Sequence, residues 1–574
     1  GLLPRDEKML VKVPHNSWQR EMDWQTYTLP QLGLGQSQKT SEQRSSKAAN
    51  FTNTGNWSTK EYLPMGYIEN TETGTSLFFQ IEHNGSWHWE ISDQSAHMYL
   101  ALSGPNEQQS HWFKTLKTGD RFTTVPAAVG VSHGFDSSMA ELTRYRRMIR
   151  RKNKDNESLA IIFNDYMNCL WGDPTAEKEY PLIDAAAEAG CEYFCIDAGW
   201  YSAGIWWDNV GEWQESRERF PEGMKKVTDY IRSKGLIPGV WLEIEVMGIN
   251  CPKAKNVPDD WFFMRHGKKV YDRSRYQLDF RNPEVVAHAD EVIDRLVRDY
   301  GVGYIKMDYN IEPGIGTEIN AESVGDGLLQ HERAYLSWLD RVFERYPDLI
   351  IENCSSGGSL KDFATLSRTV YINNDDSADF NSLRTTFYDS SYCFPSSQLQ
   401  APANMDKCMP DCSQYYIDGT NPDFGFRSVI MGSIMFASWS GPKDGSLQFG
   451  LEEYYDKYIK MYKEKIKPLV RDADLYHVLP RPDGINWDGV EYIDADSENE
   501  IKGAVFVFKP SAEGGNTNSI KLRGLEKTKK YTLEFEDNKA QGLTLTGNYL
   551  MTKGVSVTLR DNVDSEIIWI KEAQ

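Results

Sequence analysis

The sequence lacks long apolar runs and an excess of basic residues. No stretch approaches the ~18 consecutive apolar residues that a transmembrane helix requires. Lys and Arg number 63 against 84 Asp and Glu, which gives a formal net charge of −21. A chain this acidic repels phosphate groups. We therefore expect no membrane and no nucleic-acid partner, and the charge fits a neutral substrate.

Cysteine is also scarce, because 574 residues contain only eight. That number does not indicate a disulfide framework in a chain of this length. Buried thiols are expected for four cysteines in or beside predicted strands: Cys169, Cys191, Cys195 and Cys354. Three others fall in loop-like sequence, and pairing among them stays open: Cys393, Cys408 and Cys412. No companion Cys or His pair stands at zinc-site spacing from Cys408 and Cys412, so we expect no metal site.

The chain also lacks two sequence signals. The first residues, Gly1-Leu-Leu-Pro-Arg-Asp6, show no signal-peptide pattern. The compartment stays open between the cytoplasm and secretion or the periplasm after cleavage of a leader. No Gly-x-Gly-x-x-Gly fingerprint follows the first strand of the middle region, which counts against a dinucleotide fold, and no cofactor is expected.

The pattern along the chain predicts three domains. Residues 1–155 are rich in aromatic and β-branched runs such as Ser76–Glu82, typical of an antiparallel β domain, and end in a basic helical segment, Met139–Asn153. Residues 156–472 alternate short apolar runs with amphipathic helical patterns. Residues 473–574 return to alternating strands, which favours an antiparallel β-sandwich domain.

The middle region predicts an α/β fold of the (β/α)₈ TIM-barrel type. Helical patterns separate the apolar runs, and Asn282 followed by Pro283 is typical of a helix start. Eight βα units over about 315 residues fit a closed barrel better than an open sheet. The eight candidate strands are Leu159–Phe163, Tyr193–Asp197, Ile237–Glu243, Tyr304–Asp308, Leu349–Asn353, Val370–Asp375, Ser397–Ala401 and Val429–Ala437.

Two of these strands end in carboxylates, Asp308 and the pair Asp375 and Asp376. The C-terminal ends of barrel strands carry the catalytic groups in this fold. A retaining glycosidase needs one ionised carboxylate as nucleophile and one protonated carboxyl as acid. Lys306 precedes Asp308 by two residues, so its side chain points to the same side of the strand. We expect the carboxyl oxygens of Asp308 and Asp375 to lie about 5–7 Å apart, near the retaining range.

Several separated motifs resemble glycoside hydrolase family 36, the α-galactosidase family. Ile196-Asp-Ala-Gly-Trp200 is similar to L-D-D-G-W, and Gly239-Val-Trp-Leu-Glu-Ile-Glu-Val-Met247 to G-L-W-F-E-P-E-M. Tyr304-Ile-Lys-Met-Asp-Tyr-Asn310 is similar to the nucleophile motif Y-x-K-W-D-x-N. Glu352-Asn-Cys-Ser-Ser-Gly-Gly358 and Asn374-Asp-Asp-Ser377 resemble E-x-C-S-G-G-G and S-D-[DN]-T. The likeness covers about residues 160–440 in order and spacing, and more weakly the C-terminal domain.

The resemblance implies roles for individual residues. It makes Asp308 the nucleophile and Asp375 the acid/base of a retaining, exo-acting α-galactosidase. It places the remaining residues in a sugar-binding subsite: Asp197, Trp200, Trp241, Arg275 and Lys306, with Cys354 and Gly357 facing the C2 hydroxyl. An oligosaccharide or other glycoside is the expected substrate, and homo-oligomerisation stays open.

One position departs from the family pattern. In the family, a pair of adjacent Asp residues at the second strand binds the C4 and C6 hydroxyls of galactose. The corresponding pair here is Asp197-Ala198. A site built to bind a hydroxyl discriminates strongly because its polar groups need partners. An α-glucoside, a β-L-arabinopyranoside or an α-N-acetylgalactosaminide therefore stays open as substrate. In the other alternative, Asp208 or Glu245 takes over the lost contact and galactose stays the preferred sugar. The sequence is also compatible with a raffinose-synthase-like transglycosylase or a non-catalytic glycan-binding relative.

Overall fold

The structure is a computed structural model that describes residues 8–34, 46–94, 97–202, 204–377, 379–403, 421–436 and 452–573. The chain divides into two compact units. The first comprises Gly1–Asn153, Asp197–Asp229 and Gly239–Asn373, and the second comprises Lys154–Ile196, Tyr230–Pro238 and Asn374–Gln574. Because these units do not follow chain order, the three-domain division at 155/156 and 472/473 stays a prediction.

The N-terminal region forms two antiparallel sheets, as its composition predicts. Its strands are β1 (Met9–His15), β2 (Asp23–Thr28), β3 (Ala49–Asn53), β4 (Met65–Asn70), β5 (Thr75–Ile81), β6 (Trp87–Gln94), β7 (His97–Ser103) and β8 (Ala127–His133). The sheet orders are β2-β1-β4-β5-β8 and β3-β6-β7. Trp89 stacks on Phe51 in their shared core, with ring centroids 4.2 Å apart. The region also contains helices α1 (Glu107–Ser110) and α2 (Phe135–Ile149).

The middle region contains the barrel strands and several short accessory strands. In chain order these are β9 (Ile162–Asn164), β10 (Tyr193–Ile196), β11 (Ile237–Leu242), β12 (Val246–Gly248), β13 (Met264–Arg265), β14 (Lys268–Lys269), β15 (Tyr271–Asp272), β16 (Arg275–Gln277), β17 (Tyr304–Met307), β18 (Ile350–Asn353), β19 (Tyr371–Asn373), β20 (Leu399–Ala403) and β21 (Ser433–Phe436). Eight of them close a barrel in the order β10-β11-β17-β18-β19-β20-β21-β9. The predicted (β/α)₈ fold is therefore confirmed.

The two largest shifts in strand start, relative to the prediction, have local reasons. The sequence predicts that the first strand starts at Leu159, but the φ of 43° at this residue ends a short helix, and the strand begins at Ile162. The sequence predicts that the last strand starts at Val429, but this residue closes a helix from Pro422. The Asn421 side chain caps that helix, and Pro at the first turn favours it.

Six of the helices described in this region begin at a side-chain cap. The helices of this region are α3 (Asp155–Ser158), α4 (Ala176–Ala189), α5 (Met224–Ser233), α6 (Pro283–Asp294), α7 (Val324–Arg345), α8 (Phe363–Leu366), α9 (Phe380–Ser390), α10 (Pro422–Val429), α11 (Glu452–Met461) and α12 (Lys467–Asp472). Asn282 accepts a hydrogen bond from the N–H of Glu284, which confirms the predicted start of α6. Ser323 caps α7 through the N–H of Asp326.

The C-terminal region is antiparallel. Its strands are β22 (Asp474–His477), β23 (Asp488–Ile493), β24 (Ile501–Lys509), β25 (Thr517–Ile520), β26 (Lys530–Phe535), β27 (Leu543–Thr546), β28 (Val555–Thr558) and β29 (Asp564–Glu572), with helix α13 (Gly547–Thr552) before β28. They form a six-stranded sheet, β22-β23-β24-β29-β26-β27, and a two-stranded sheet, β25-β28. A shared apolar core includes Val505 and Val557, which fits the predicted sandwich.

The cysteines follow the composition-based expectation as far as they are described. Cys191, Cys195 and Cys354 are buried, and Cys169 is half-buried. The Cys393 thiol lies 3.7 Å from the carbonyl oxygen of Ser390. Cys408 and Cys412 lie outside the described residues, so pairing among these three stays a prediction.

Candidate active site

Asp308 directly follows β17, and hydrogen-bond donors bind both of its carboxylate oxygens. The indole N–H of Trp241 donates to Oδ2 at 2.9 Å. The backbone N–H groups of Tyr309 and Ser356 donate to Oδ1 at 2.8 and 3.3 Å. The Asp308 N–H itself donates to the carbonyl of Leu242 on the neighbouring strand β11. N–H donors of this kind fix a carboxylate in one orientation at the strand end.

Trp241 lies in β11 and pairs in register with Lys306 of β17. Its ring packs among other aromatic side chains, with centroids 5.2 Å from Trp206 and 5.9 Å from Trp213. The indole N–H of Trp200 donates to the backbone carbonyl of Trp241 at 3.0 Å, and the Trp200 side chain is fully buried. Trp200 therefore supports Trp241 from behind.

Lys306 and Asp197 form a buried ion pair. The ammonium lies 3.0 Å from Oδ2 of Asp197, and the two side chains are 7% and 3% exposed. The other oxygen of Asp197 accepts the N–H of Ala198 at 2.7 Å. The sequence predicts that the Lys306 side chain points to the same side of the strand as Asp308, and this stays a prediction. The ion pair with Asp197 brings together two of the predicted sugar-binding residues, from β17 and from the end of β10.

A second buried ion pair involves Arg275 of β16. Its Nε lies 2.7 Å from Oε2 of Glu243, which is an ion-pair distance. The other Glu243 oxygen accepts the N–H of Asn310. Burial is the main reason that the pKa of Glu243 rises to about 7, with the charge of Asp308 adding to it and Arg275 opposing it. The guanidinium also lies over the ring of Trp206 at 5.3 Å.

Cys354 and Gly357 lie on a strained turn after β18. The Cys354 N–H donates to the carbonyl of Met307 at 2.9 Å, and the amide of Asn373 contacts its sulfur at 3.4 Å. Ser356 has a φ of 42° and Gly357 a φ of 78°, both in the left-handed region. A left-handed Ser costs conformational energy and persists only where its surroundings hold it. This turn supplies the Ser356 N–H to Asp308.

Asp375 lies in the second compact unit, just beyond β19. The Ser377 N–H donates to its Oδ1 at 2.7 Å, and the Thr386 hydroxyl of α9 donates to its Oδ2 at 2.8 Å. The side chain is buried, whereas the neighbouring Asp376 is half-buried. The predicted separation between the carboxyl oxygens of Asp308 and Asp375 stays a prediction.

A small polar cavity of about 20 Å³ lies against Asp308 in the first unit. It is also lined by Glu245, Glu332, Asn56 and Asn84, and none of its described lining residues is basic. Burial and the nearby charge of Glu245 raise the pKa of Glu332. His331 and Glu245 lie 3.2 Å apart, so Glu245 faces inward as well. Asp208 ends the short 3₁₀ turn Trp206–Asp208 and accepts a hydrogen bond from the side-chain amide of Asn250 at 3.3 Å.

Sequence reasoning gave no role to Glu243, Ser356 or the donors around them. Glu243 directly follows β11 and lies two residues after Trp241. Alternation along the strand therefore predicts that its side chain points to the same side as that of Trp241. Ser356 acts through its backbone N–H, and a backbone donor leaves no signature in the sequence.

None of the helices in the described part of the chain has the length and apolar character that a membrane span requires. No cluster of three or more His, Cys, Asp or Glu side chains in the described part of the chain is arranged to hold a metal ion.

The chain is similar to known proteins over most of its length. The model of the Melibiase family matches residues 124–407, and that of the glycosyl hydrolase family 36 C-terminal domain matches residues 487–570. Alpha-galactosidase Mel36A of Lactobacillus acidophilus is 23% identical over 80% of this chain and 61% of its own length. Alpha-galactosidase C of Emericella nidulans is 23% identical over 89% of this chain and 66% of its own length. The chain thus spans less than two thirds of these relatives.

Solved structures share the fold at low identity. The family 36 alpha-galactosidase AgaA of Geobacillus stearothermophilus superposes with a TM-score of 0.85 at 19% identity, covering 99% of this chain and 76% of AgaA. The galactosidase domain of AgaSK gives a TM-score of 0.83 at 19% identity, over 98% of this chain and 74% of that one.

A closed parallel barrel with carboxylates just after β17 and β19 is the architecture in which barrel-type glycoside hydrolases carry their catalytic groups. The two matched family models identify which family of these enzymes the chain is part of. The chain belongs to glycoside hydrolase family 36.

Proposed function

We propose that this chain is a retaining, exo-acting α-glycosidase that hydrolyses terminal α-galactosides by double displacement. The observation that carries the proposal is the Asp308 carboxylate at the end of β17. Donors from Trp241, Tyr309 and Ser356 bind it. A fixed carboxylate at a barrel strand end is the group that attacks an anomeric carbon. Relatives that carry the name alpha-galactosidase support the sugar class.

Asp375 is the proposed acid/base. Its oxygens are held by Ser377 and Thr386, which would fix the carboxyl group beside the leaving oxygen. In the first step it gives its proton to that oxygen while Asp308 forms the bond to the anomeric carbon. In the second step Asp375 takes a proton from water, and that water displaces Asp308 and releases the sugar with its configuration retained.

The sugar subsite is proposed around the two buried ion pairs. Lys306, Asp197 and Arg275 offer charged donors and acceptors to hydroxyls, and Trp241 offers an aromatic face. Trp200 would act through Trp241, because its indole N–H donates to the backbone carbonyl of Trp241. Cys354 and Gly357 are proposed to face the C2 hydroxyl. Structures of AgaA variants in complex with stachyose and raffinose make an oligosaccharide the proposed substrate class.

Ala198 is the observation that favours a second candidate, a relative with shifted sugar specificity. Its N–H binds Asp197, and its methyl group cannot accept a hydrogen bond from a sugar. An α-glucoside, a β-L-arabinopyranoside or an α-N-acetylgalactosaminide would then be the better substrate.

The test is a panel of nitrophenyl glycosides of these four sugars, assayed with and without a sugar acceptor, with Asp308→Asn as the inactive control. We expect the α-galactoside to be turned over, and NMR to show the α-anomer as the first product. Growth of an oligosaccharide in the presence of acceptor would assign transglycosylase activity instead. First appearance of the β-anomer from an α-galactoside would falsify the assignment of Asp308 as nucleophile.

A further inference from the structure

The turn that binds Asp308 is itself held by the N-terminal region of the chain. The carbonyl of Gly358 accepts two hydrogen bonds, from the amide of Asn16 at 2.9 Å and from the hydroxyl of Thr59 at 3.0 Å. The N–H of Gly358 points to Oε1 of Glu21 at 3.4 Å. Both polar groups of this one residue are therefore bound by side chains that precede it by some 300 residues.

These contacts are buried and fixed on both sides. Asn16, Glu21 and Thr59 are at most 5% exposed. The Asn16 oxygen accepts the N–H of Met22, which orients its amide toward Gly358. A Cβ on Gly358 would lie 2.7 Å from the Glu21 side chain and 2.3 Å from that of Lys361, so only glycine fits between them.

Thr59 holds the turn in three places. Its hydroxyl donates to Gly358 and accepts the N–H of Lys361 at 2.9 Å. Its backbone N–H donates to the carbonyl of Ser359 at 3.1 Å. A threonine hydroxyl can supply a donor and an acceptor at once, which suits a position closed to water.

The held turn leads directly to the nucleophile. Ser356 keeps its left-handed conformation between Cys354 and Gly358, and its N–H donates to Oδ1 of Asp308 at 3.3 Å. The Ser356 hydroxyl donates to the side-chain oxygen of Asn310 at 2.5 Å. A displacement of Gly358 would therefore move the N–H that orients Asp308.

We infer that Asn16 and Thr59 are positioning residues for the reaction proposed above. They hold Gly358, and through it the turn that presents the Ser356 N–H to the nucleophile and Gly357 to the sugar. The catalytic part of this inference rests on the proposed function. The structural part, that Asn16 and Thr59 hold the turn in its strained conformation, stands on the hydrogen bonds alone.

The test compares Thr59→Val, which removes the hydroxyl at nearly constant shape, with Thr59→Ser, which keeps it. Ser76→Ala is the matched control, because Ser76 bonds the Ser138 hydroxyl in the same N-terminal region without touching the turn. Hydrogen exchange of the peptide spanning residues 355–361 is measured by mass spectrometry. We expect at least a roughly tenfold faster exchange in Thr59→Val, and wild-type exchange in Thr59→Ser and Ser76→Ala.

Kinetics supply the second readout. With an activated aryl glycoside, Thr59→Val should lose about ten- to a hundredfold in kcat, with little change in KM, because a misplaced nucleophile slows chemistry. Thr59→Ser should recover most of this loss. The preference for a substrate with a C2 hydroxyl over its 2-deoxy analogue should also fall in Thr59→Val.

The outcomes separate the two claims. Wild-type exchange and kcat in Thr59→Val would overturn the inference, as would equal losses of kcat in Thr59→Val and Ser76→Ala. If Thr59→Val does not fold, Asn16→Leu removes the other donor to Gly358 and is judged by the same two readouts. An inactive wild type on every glycoside would count against the proposed function, while the exchange data would still decide whether Thr59 and Asn16 hold the turn.

Discussion

Replacing Lys306 by Met tests whether the buried pair with Asp197 organises the sugar subsite. The substitution keeps the apolar stem and removes the ammonium, which lies 3.0 Å from the Asp197 carboxylate. Asp197 then retains the N–H of Ala198 but loses the ammonium while its side chain stays buried, at 3% exposure. Leaving a buried carboxylate without its ion-pair partner is strongly destabilising.

The size of the effect follows from this burial. Breaking a buried ion pair by removing one partner costs about 3–5 kcal/mol of the free energy of unfolding. Asp197→Asn should cost a similar amount, because the Lys306 ammonium stays buried and loses the charge of this carboxylate. The double variant should lose about 2 kcal/mol less than the sum of the single variants, because each single variant already removes the same ion pair.

The assay is pulse proteolysis in urea, combined with kcat/KM on the preferred nitrophenyl glycoside. Lys306→Met should also lose about ten- to a hundredfold in kcat/KM, as expected for one charged hydrogen bond. Lys509→Met is the matched control: this buried lysine of β24 bonds Asn516 and the carbonyl of Asp561, and its loss should lower stability without affecting kcat/KM. A coupling energy below about 0.5 kcal/mol would refute the ion-pair argument.

Three further predictions concern the proposed chemistry. Asp308→Asn should remove nearly all activity but leave folding intact, and added azide should restore turnover with an inverted product. In a series of aryl glycosides, Asp375→Ala should slow the substrates with poor leaving groups most. Ala198→Asp should raise the galactoside-to-glucoside ratio of kcat/KM about ten- to a hundredfold, because it adds one charged acceptor; an unchanged ratio would show that another group already binds that hydroxyl. The pKa of Glu243 is about 7 in the folded protein, against an ordinary value of 4.5. The free energy of unfolding should therefore fall progressively as the pH rises from about 4.5 to about 7. Glu243→Gln should flatten this part of the stability profile, measured by pulse proteolysis at about pH 5 and pH 7.5, and an unaltered slope would contradict the pKa assignment.

The barrel could be predicted because each of its strands is a short apolar run next to a turn or a polar residue. A buried parallel strand needs such a run, and its side chains reach the core on both faces. The misplaced starts at Leu159 and Val429 arose where apolar residues continue beyond the strand. In both cases a local backbone preference decided the boundary: a left-handed helix end at Leu159 and a capped helix over Pro422–Val429.

The site could be predicted only where a side chain carries the chemistry. Asp308, Lys306 and Asp197 lie at or beside strand ends as the sequence predicts, and the structure brings the last two into contact. The donors that orient Asp308 were missed in part because two of them are backbone N–H groups. One of these, the N–H of Ser356, owes its position to a left-handed backbone rather than to any residue type.

The contacts to Gly358 could not be predicted for a different reason. Asn16 and Thr59 lie in a region whose pattern indicates a separate β domain, and nothing in that pattern points to a barrel loop. Contacts between residues some 300 positions apart depend on the assembled fold. Periodicity and turn residues, which are local, carry no information about them.

The hydrogen bonds from the N-terminal region to the turn after β18 also limit how this protein can be recombined. A barrel given the N-terminal region of a relative would keep every proposed catalytic residue, yet Gly358 would lose its partners unless Asn16, Glu21 and Thr59 had counterparts in the new sequence. The indole N–H of Trp57, which donates to the carbonyl of Tyr309 beside the nucleophile, would have to be transferred as well. A chimera should therefore take the segment from Asn16 to Thr59 and the turn after β18 from the same parent. A crossover point between them would separate the hydrogen-bond donors from the carbonyl groups that accept from them.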